Sequence, residues 1–171
     1  MNTSRQPMNE PIIRLIEPED NAAVKALVLE TLAEFGLAGV GYAGVDAELD
    51  DMYQAYDHSL SAYYVVEVNG DIKGVGGFAS LQGTDPGTTA ELRKMYLAPD
   101  LRGLGVGEQL IRKCIKGAAD CGYEGIYLET VPAMKAAQKL YQKHGFDYLD
   151  KRMGDTGHTG CGVTMWRSLG A

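Results

Sequence analysis

The sequence predicts an α/β fold built on a mixed sheet. Two β-rich runs, residues 63–68 and 71–81, flank Asn69-Gly70, a dipeptide that favours the type I′ turn of an antiparallel hairpin. The second half instead alternates strand-like runs with helix-period segments, which is typical of βαβ units with parallel strands. A hairpin region followed by βαβα units therefore combines both strand directions in one sheet.

Hydrophobic periodicity places the remaining elements along the chain. The expected strands are residues 12–16, 92–97, 125–130, 146–149 and 162–166. The expected helices are residues 19–35, which end at Gly36, residues 46–56, one that opens after Gly107 and one that includes Pro132 near its first turn. No repeat or boundary divides the chain, so we expect residues 1–171 to form one domain, with residues 1–10 as a flexible tail.

A glycine-rich turn, residues 102–107 (RGLGVG), joins the strand at 92–97 to the next helix. Glycines let backbone N–H groups converge, and the start of a helix adds free N–H groups and the positive end of its dipole. This arrangement suits a phosphate or pyrophosphate. A P-loop is excluded because Glu108-Gln109 stand where Lys and Ser or Thr are needed. A tight connection without a ligand is the alternative.

A second motif, AAQKLYQKHGF at residues 136–146, follows the next strand. Together with Arg102, Gly105 and Gly107, in this order and at this spacing, it resembles the GNAT superfamily of acetyl-CoA-dependent N-acetyltransferases. The resemblance is specific over residues 88–149. It implies a GNAT-type mixed, mostly antiparallel central sheet of about seven strands flanked by about four helices, with acetyl-CoA as cosubstrate.

The resemblance also implies which residues bind acetyl-CoA. The glycine turn would hold the pyrophosphate, the backbone of the preceding strand would pair with the pantetheine arm, and two later residues would line the site. In chain order these residues are Met95, Tyr96, Leu97, Arg102, Gly103, Leu104, Gly105, Val106, Gly107, Thr130 and Ala137.

Two residues are implied to be catalytic. Tyr141 would be the general acid, since a phenol with a pKa of ~10 stays protonated at neutral pH and can protonate the departing thiolate; packing in the core is its alternative role. Glu91 would take the amine proton, with Glu129 and His158 as alternative bases. Strand parity places Glu91, Arg93 and Met95 on one face, where Arg93 could also pair with Glu91.

The expected acceptor is a small, cationic molecule with a primary amine. Residues 1–90 carry 4 Lys and Arg against 14 Asp and Glu, whereas residues 91–171 carry 12 against 9, so the first half could attract a cation. Phe35, Tyr42 and His158 are candidate acceptor-binding residues, with ordinary packing as the alternative for the two aromatics. A protein lysine or N-terminus as acceptor, and a non-catalytic acyl-CoA sensor, are the alternative functions.

Composition limits the partners. A net charge of −7 argues against nucleic acid and anionic membranes, and no apolar run approaches the ~18 residues of a membrane span. Three cysteines without C-x-x-C spacing indicate free thiols in the cytoplasm. His158 and Cys161 alone are too few to hold zinc, so we expect no metal. Relatives often dimerise, so the resemblance allows a homodimer.

Overall fold

The computed structural model describes residues 9–37, 39 and 41–170, and residues 1–8 of the expected tail lie outside this range. The strands are β1 (Ile12–Leu15), β2 (Ala62–Val68), β3 (Asp71–Ser80), β4 (Thr89–Leu97), β5 (Gly125–Thr130), β6 (Asp147–Tyr148) and β7 (Val163–Ser168). The helices are α1 (Asn21–Glu34), α2 (Met52–Tyr56), α3 (Val106–Asp120) and α4 (Lys135–Lys143), with short 3₁₀ turns at Pro18–Asp20, Ala43–Val45, Ala47–Asp50 and Pro99–Leu101.

The strands form one seven-stranded sheet in the order β1-β2-β3-β4-β5-β7-β6. The β4–β5 pair is parallel, and the other pairs are antiparallel. The predicted mixed, mostly antiparallel sheet with four helices is therefore confirmed. None of the helices in the described residues has the length and apolar character needed to cross a bilayer.

The hairpin between β2 and β3 turns at the predicted dipeptide. Asn69 has a φ of 53° and Gly70 a φ of 85°, so both lie in the left-handed region that a type I′ turn requires. Antiparallel pairing of Val68 with Asp71 next to the turn confirms this prediction.

The two faces of the sheet are covered by different helices. Helices α1 and α2 pack on one face, where Val28, Met52 and Val65 belong to the same buried cluster. Helices α3 and α4 pack on the other face, where Cys114, Tyr141 and Phe78 share a second cluster. Burial of both faces explains why the central strands are apolar on each side.

A β-bulge at Lys94 changes the parity of β4. Val75 pairs with Tyr96 and Gly77 with Arg93, so two residues of β4, Lys94 and Met95, stand opposite Gly76 alone. Lys94 has a φ of 44°, and the buried hydroxyl of Tyr63 donates to its carbonyl oxygen over 2.8 Å. As a result Arg93 and Lys94 both reach the α1–α2 face, whereas Met95 packs under α3. The prediction that Glu91, Arg93 and Met95 share one face was therefore wrong at Met95.

Beyond Glu91 the strands β4 and β5 separate. Their parallel pairing covers only Thr89 to Glu91, opposite Gly125 to Tyr127. The rest of β4 continues on the β3 side, while β5 stays paired with β7. A gap therefore opens in the middle of the sheet, between the carboxyl ends of its two parallel strands, and every candidate site residue described below lies around it.

The second and fourth helices differ from the prediction. The expected helix at 46–56 is divided, because Asp51 adopts a φ of −150° and caps α2 by accepting a hydrogen bond from Gln54 N. Pro132 lies before α4, which begins at Lys135, and not in its first turn.

Close approach of β2 explains why position 77 in β3 is a glycine. A Cβ on Gly77 would collide with the carbonyl oxygen of Ala62 and lie 2.8 Å from Tyr63 Cα, which are backbone atoms that cannot rotate away. We expect Gly77→Ala to lower the free energy of unfolding by about 1–3 kcal/mol, measured by urea denaturation. The control is Gly162→Ala, where the nearest atom to the new methyl is 4.0 Å away, and we expect a change within about 0.5 kcal/mol. Equal effects of the two substitutions would contradict this explanation.

Candidate active site

The gap between β4 and β5 holds a large cleft of about 550 Å³. One wall is the end of β4, the opposite wall is α4 with the two residues before it, and the glycine turn closes one end. The predicted residues that line it are Phe35, Met95, Tyr96, Leu97, Arg102, Gly103, Gly105, Gly107, Ala137 and Tyr141. Leu104 is exposed and Val106 is buried beneath α3, so the side chains of these two predicted residues lie outside the cleft.

The glycine turn presents backbone and not side chains to the cleft. Gly103 and Gly105 have φ values of 77° and 81°, a conformation that disfavours other residues, and no side chain caps the start of α3. The first N–H groups of α3 therefore have no intrahelical acceptor. Gly107 is needed for another reason, since a Cβ there would lie 3.2 Å from Leu140 and 3.4 Å from Leu97. These features fit an anion at this end of the cleft.

Arg102 links the glycine turn to α1. Its guanidinium donates two hydrogen bonds to the carboxylate of Glu34, at 2.6 and 3.0 Å, and two to the carbonyl oxygen of Leu97, at 3.1 and 3.0 Å. The guanidinium carbon also lies 5.7 Å from the centre of the Phe35 ring. Phe35, predicted to contact the acceptor, is therefore part of the large cleft, beside Arg102.

Tyr141 projects from α4 to the point where the large cleft meets a smaller pocket. It lines both cavities together with Met95, Tyr96 and Met134. Burial raises the pKa of its phenol well above the ordinary value of 10.0, so the hydroxyl stays protonated at neutral pH and can donate a proton. The position between two cavities suits the general acid that the sequence predicted.

The small pocket has a volume of about 60 Å³ and contains the other candidate residues. Glu91 is 5% exposed and accepts a hydrogen bond from Arg93 Nε over 2.6 Å. Burial raises the pKa of Glu91, and the neighbouring Arg93 opposes that effect. Tyr42, Thr130 and His158 line this pocket as well, so Thr130, predicted beside the cofactor, lies in the small pocket and not in the large cleft.

Three residues from distant parts of the chain converge in the small pocket. One oxygen of Glu91, one of Glu129 and a ring nitrogen of His158 all lie within 4.8 Å of one another. The Tyr127 hydroxyl donates to Glu129 over 2.7 Å, and the Thr156 hydroxyl also donates to this carboxylate. The expectation of no metal rested on His158 and Cys161 alone, and it stays a prediction.

His158 is held in the pocket by Asp46. Its Nε2 lies 2.8 and 3.0 Å from the two carboxylate oxygens of Asp46, which raises the pKa of His158 despite its burial. Burial acts to raise the pKa of Asp46, but His158 and Lys94 outweigh it and the pKa falls below 3.8. Lys94 donates to Asp46 over 2.6 Å and also to Glu48.

Asp46 and Lys94 were not among the residues predicted from the sequence. The signal for Lys94 was present, since Arg93-Lys94 interrupts the alternation expected in a strand and so indicates a bulge. No comparable signal marked Asp46, because its partners are 48 and 112 residues away in the chain.

The chain was then compared with known proteins. The family model described as the acetyltransferase (GNAT) family matches residues 28–146. The chain belongs to this family. An uncharacterized N-acetyltransferase of Escherichia coli, YjgM, is 39% identical over 160 residues, which cover 93% of this chain and 95% of that protein. This acetyltransferase is thus similar to a bacterial relative along almost its whole length.

Solved structures support the same fold. An acetyltransferase of the GNAT family from Staphylococcus aureus has a TM-score of 0.78 and 20% identity, covering 94% of this chain and all of that one. The structure of yncA from Salmonella typhimurium, solved with its cofactor acetyl-CoA, has a TM-score of 0.74 and 22% identity, covering 95% and 96% of the two chains.

The Asp46–His158 pair is expected to make the stability of the fold depend on pH. Because the folded-state pKa of His158 is raised above 6.5, the pair stabilises the fold below pH 6.5, and this contribution disappears as the pH rises through the folded-state pKa. The contribution also disappears in strong acid, when Asp46 is protonated. We expect Asp46→Asn to lower the pKa of His158, measured by NMR titration with the His158→Asn spectrum for assignment. His144, at the end of α4, is the internal control, and an unchanged His158 titration would contradict the pairing.

Proposed function

We propose that this acetyltransferase moves the acetyl group of acetyl-CoA to the primary amine of a small, cationic molecule, by direct attack and without a covalent enzyme intermediate. The observation that carries the proposal is the position of Tyr141, between a large cleft that suits an anionic cofactor and a small pocket lined by carboxylates. A cytoplasmic location and a homodimer remain predictions.

The large cleft fits acetyl-CoA in its shape and in its polar groups. Its volume of about 550 Å³ is suited to an extended ligand, and the glycine turn offers free N–H groups for a pyrophosphate. The edge of β4 from Leu92 onwards has no β5 partner, so its backbone groups are free to pair with the amides of a pantetheine arm. Arg102 would complete the phosphate site. The relative yncA, whose cofactor is acetyl-CoA, supports this assignment.

Two residues near the junction of the two cavities would each carry out one of the two proton transfers. Acetyl-CoA supplies the thioester whose carbonyl carbon receives the amine. Glu91, with its pKa raised by burial, takes a proton from the entering ammonium group, and Tyr141 gives its phenolic proton to the departing thiolate. Arg93 holds the carboxylate of Glu91 in place through its 2.6 Å contact.

The small pocket favours the ammonium group of a small acceptor. Glu91 and Glu129 line it, and about 60 Å³ accommodates the amine end of a molecule but not its body. A protein lysine or N-terminus would present the same ammonium group, so a screen has to include both classes. Release of free CoA thiol with any amine would exclude the alternative of a non-catalytic acyl-CoA sensor.

The cofactor assignment predicts that Arg102→Glu weakens binding of acetyl-CoA by about 10- to 100-fold, because it replaces a charge-assisted contact to phosphate with repulsion. Isothermal titration calorimetry measures this directly. Lys116→Glu is the matched control, since it makes the same change in charge on an exposed turn of α3. If folded wild-type protein does not bind acetyl-CoA, or if both variants lose binding equally, the proposed site is wrong.

The proton-transfer roles predict separate kinetic effects. We expect Tyr141→Phe and Glu91→Gln each to lower kcat by about 100-fold or more while acetyl-CoA binding is kept. The rate of the wild type should rise with pH through the raised pKa of Glu91, and Glu91→Gln should lose that limb of the profile. Tyr148→Phe, which changes an exposed phenol at the sheet edge, is the control. Wild-type turnover in Tyr141→Phe would rule out its role as the acid.

A further inference from the structure

Glu129 is a buried carboxylate without a close cation in the described part of the chain. Its side chain is 3% exposed, and its hydrogen bonds come from two neutral hydroxyls, those of Tyr127 and Thr156. Among the described residues only Arg152 approaches it as an ion-pair partner, at 3.9 Å and with a side chain 37% exposed. Glu91, by contrast, has Arg93 at 2.6 Å. A buried carboxylate is costly unless a cation compensates it, so the environment of Glu129 indicates a cation that the described residues do not supply.

The charges around the small pocket also indicate a need for an additional cation. Four carboxylates belong to the connected network, those of Asp46, Glu48, Glu91 and Glu129. The buried cations of that network are Arg93 and Lys94, whose contacts are to Glu91, Asp46 and Glu48. Above the raised pKa of His158, where its imidazole is neutral, the pocket therefore has an excess of negative charge, and both Glu91 and Glu129 line it.

The geometry of the three converging residues fits one nitrogen atom. For an equilateral triangle with sides of 4.8 Å, the largest separation in the group, the centre lies about 2.8 Å from each corner, which is a hydrogen-bond distance. A primary ammonium group has three N–H donors, and a neutral imidazole and two carboxylates offer three acceptors. In the neutral tautomer in which Nε2 of His158 donates to Asp46, the other ring nitrogen is left as an acceptor.

We propose that Glu129 and His158 are acceptor-binding residues which, together with Glu91, form a three-point seat for the primary ammonium group of the acceptor. This inference rests on the proposed function and deepens it by naming the group that the site selects. Glu129 holds the nitrogen, while Glu91 removes one proton, so R–NH₃⁺ and a carboxylate become R–NH₂ and a carboxylic acid. Tertiary amines lack two of the three N–H groups and quaternary ammonium ions lack all of them, so both are excluded from the seat.

The test uses simple ammonium ions and requires no turnover. Methylammonium chloride and tetramethylammonium chloride are added at equal concentrations to wild-type protein, and the pKa of His158 is followed by NMR. The charged groups facing His158 are Asp46, Glu91, Lys94 and Glu129. We expect methylammonium to lower the pKa of His158 by about half a pH unit, because a cation is added beside the imidazole, and tetramethylammonium to leave it unchanged.

Variants identify the carboxylate responsible. Glu129→Gln keeps the shape of the side chain but removes its charge. We expect this variant to need at least about ten times more methylammonium than the wild type for the same change in the pKa of His158. Glu124→Gln changes an exposed glutamate just before the same strand and should respond like wild type. If Glu129→Gln does not fold, Glu129→Asp, which keeps the charge but withdraws it from the seat, should also weaken the response.

Equal responses to the two ions, or a full response in Glu129→Gln, would overturn the proposal. A stoichiometric metal ion in the purified protein that is lost in Glu129→Gln would also overturn it, since the cation would then not be the acceptor. Acetyl-CoA calorimetry on the same samples is independent of these outcomes. Failure of the seat is therefore distinguishable from failure of the acetyltransferase assignment.

Discussion

The candidate site depends on one backbone constraint, the β-bulge at Lys94. The extra residue places Arg93 and Lys94 on the same face, and it lies just beyond the point where β5 stops pairing with β4. Without the bulge, regular alternation would send Lys94 toward α3 and its ammonium group into an apolar core. The bulge therefore provides the cation that neutralises part of the small pocket, and it lies beside the gap that contains the two cavities.

The positive φ of Lys94 costs of the order of 1–3 kcal/mol, so it persists only because its surroundings hold it. Its ammonium group contacts Asp46 and Glu48, and its carbonyl oxygen accepts from Tyr63. Asp46 in turn holds His158, which comes from the segment between β6 and β7. The segment that carries Asp46 and Glu48, before β2, and the segment that carries His158, before β7, are thus held over the small pocket by one strained residue, Lys94.

The two cavities differ in the sign of the charges that surround them. In the large cleft the positive groups are a helix start, Lys135 and Arg102. The guanidinium of Arg102 already binds an anion of the chain, the carboxylate of Glu34. An anionic ligand at the glycine turn would therefore compete with Glu34 for Arg102. In the small pocket the excess charge is negative and includes the buried Glu129. Tyr141 stands at the boundary, where a phenol can remain neutral next to both.

The sequence by itself determined the features that depend on neighbouring residues. The Asn69-Gly70 turn, the glycines that open α3, the strand and helix order and the motif around Tyr141 are all local, and each was predicted correctly. Partners distant in the chain were not readable from the sequence. β7 inserts between β5 and β6, and Thr130 and Phe35 exchange cavities relative to the prediction. Glu129 and His158 meet at Glu91, and Asp46 contacts Lys94 and His158. Only the tertiary structure decided these contacts, because a one-residue bulge reverses the direction of every following side chain in β4, and its consequences appear only when distant segments pack together.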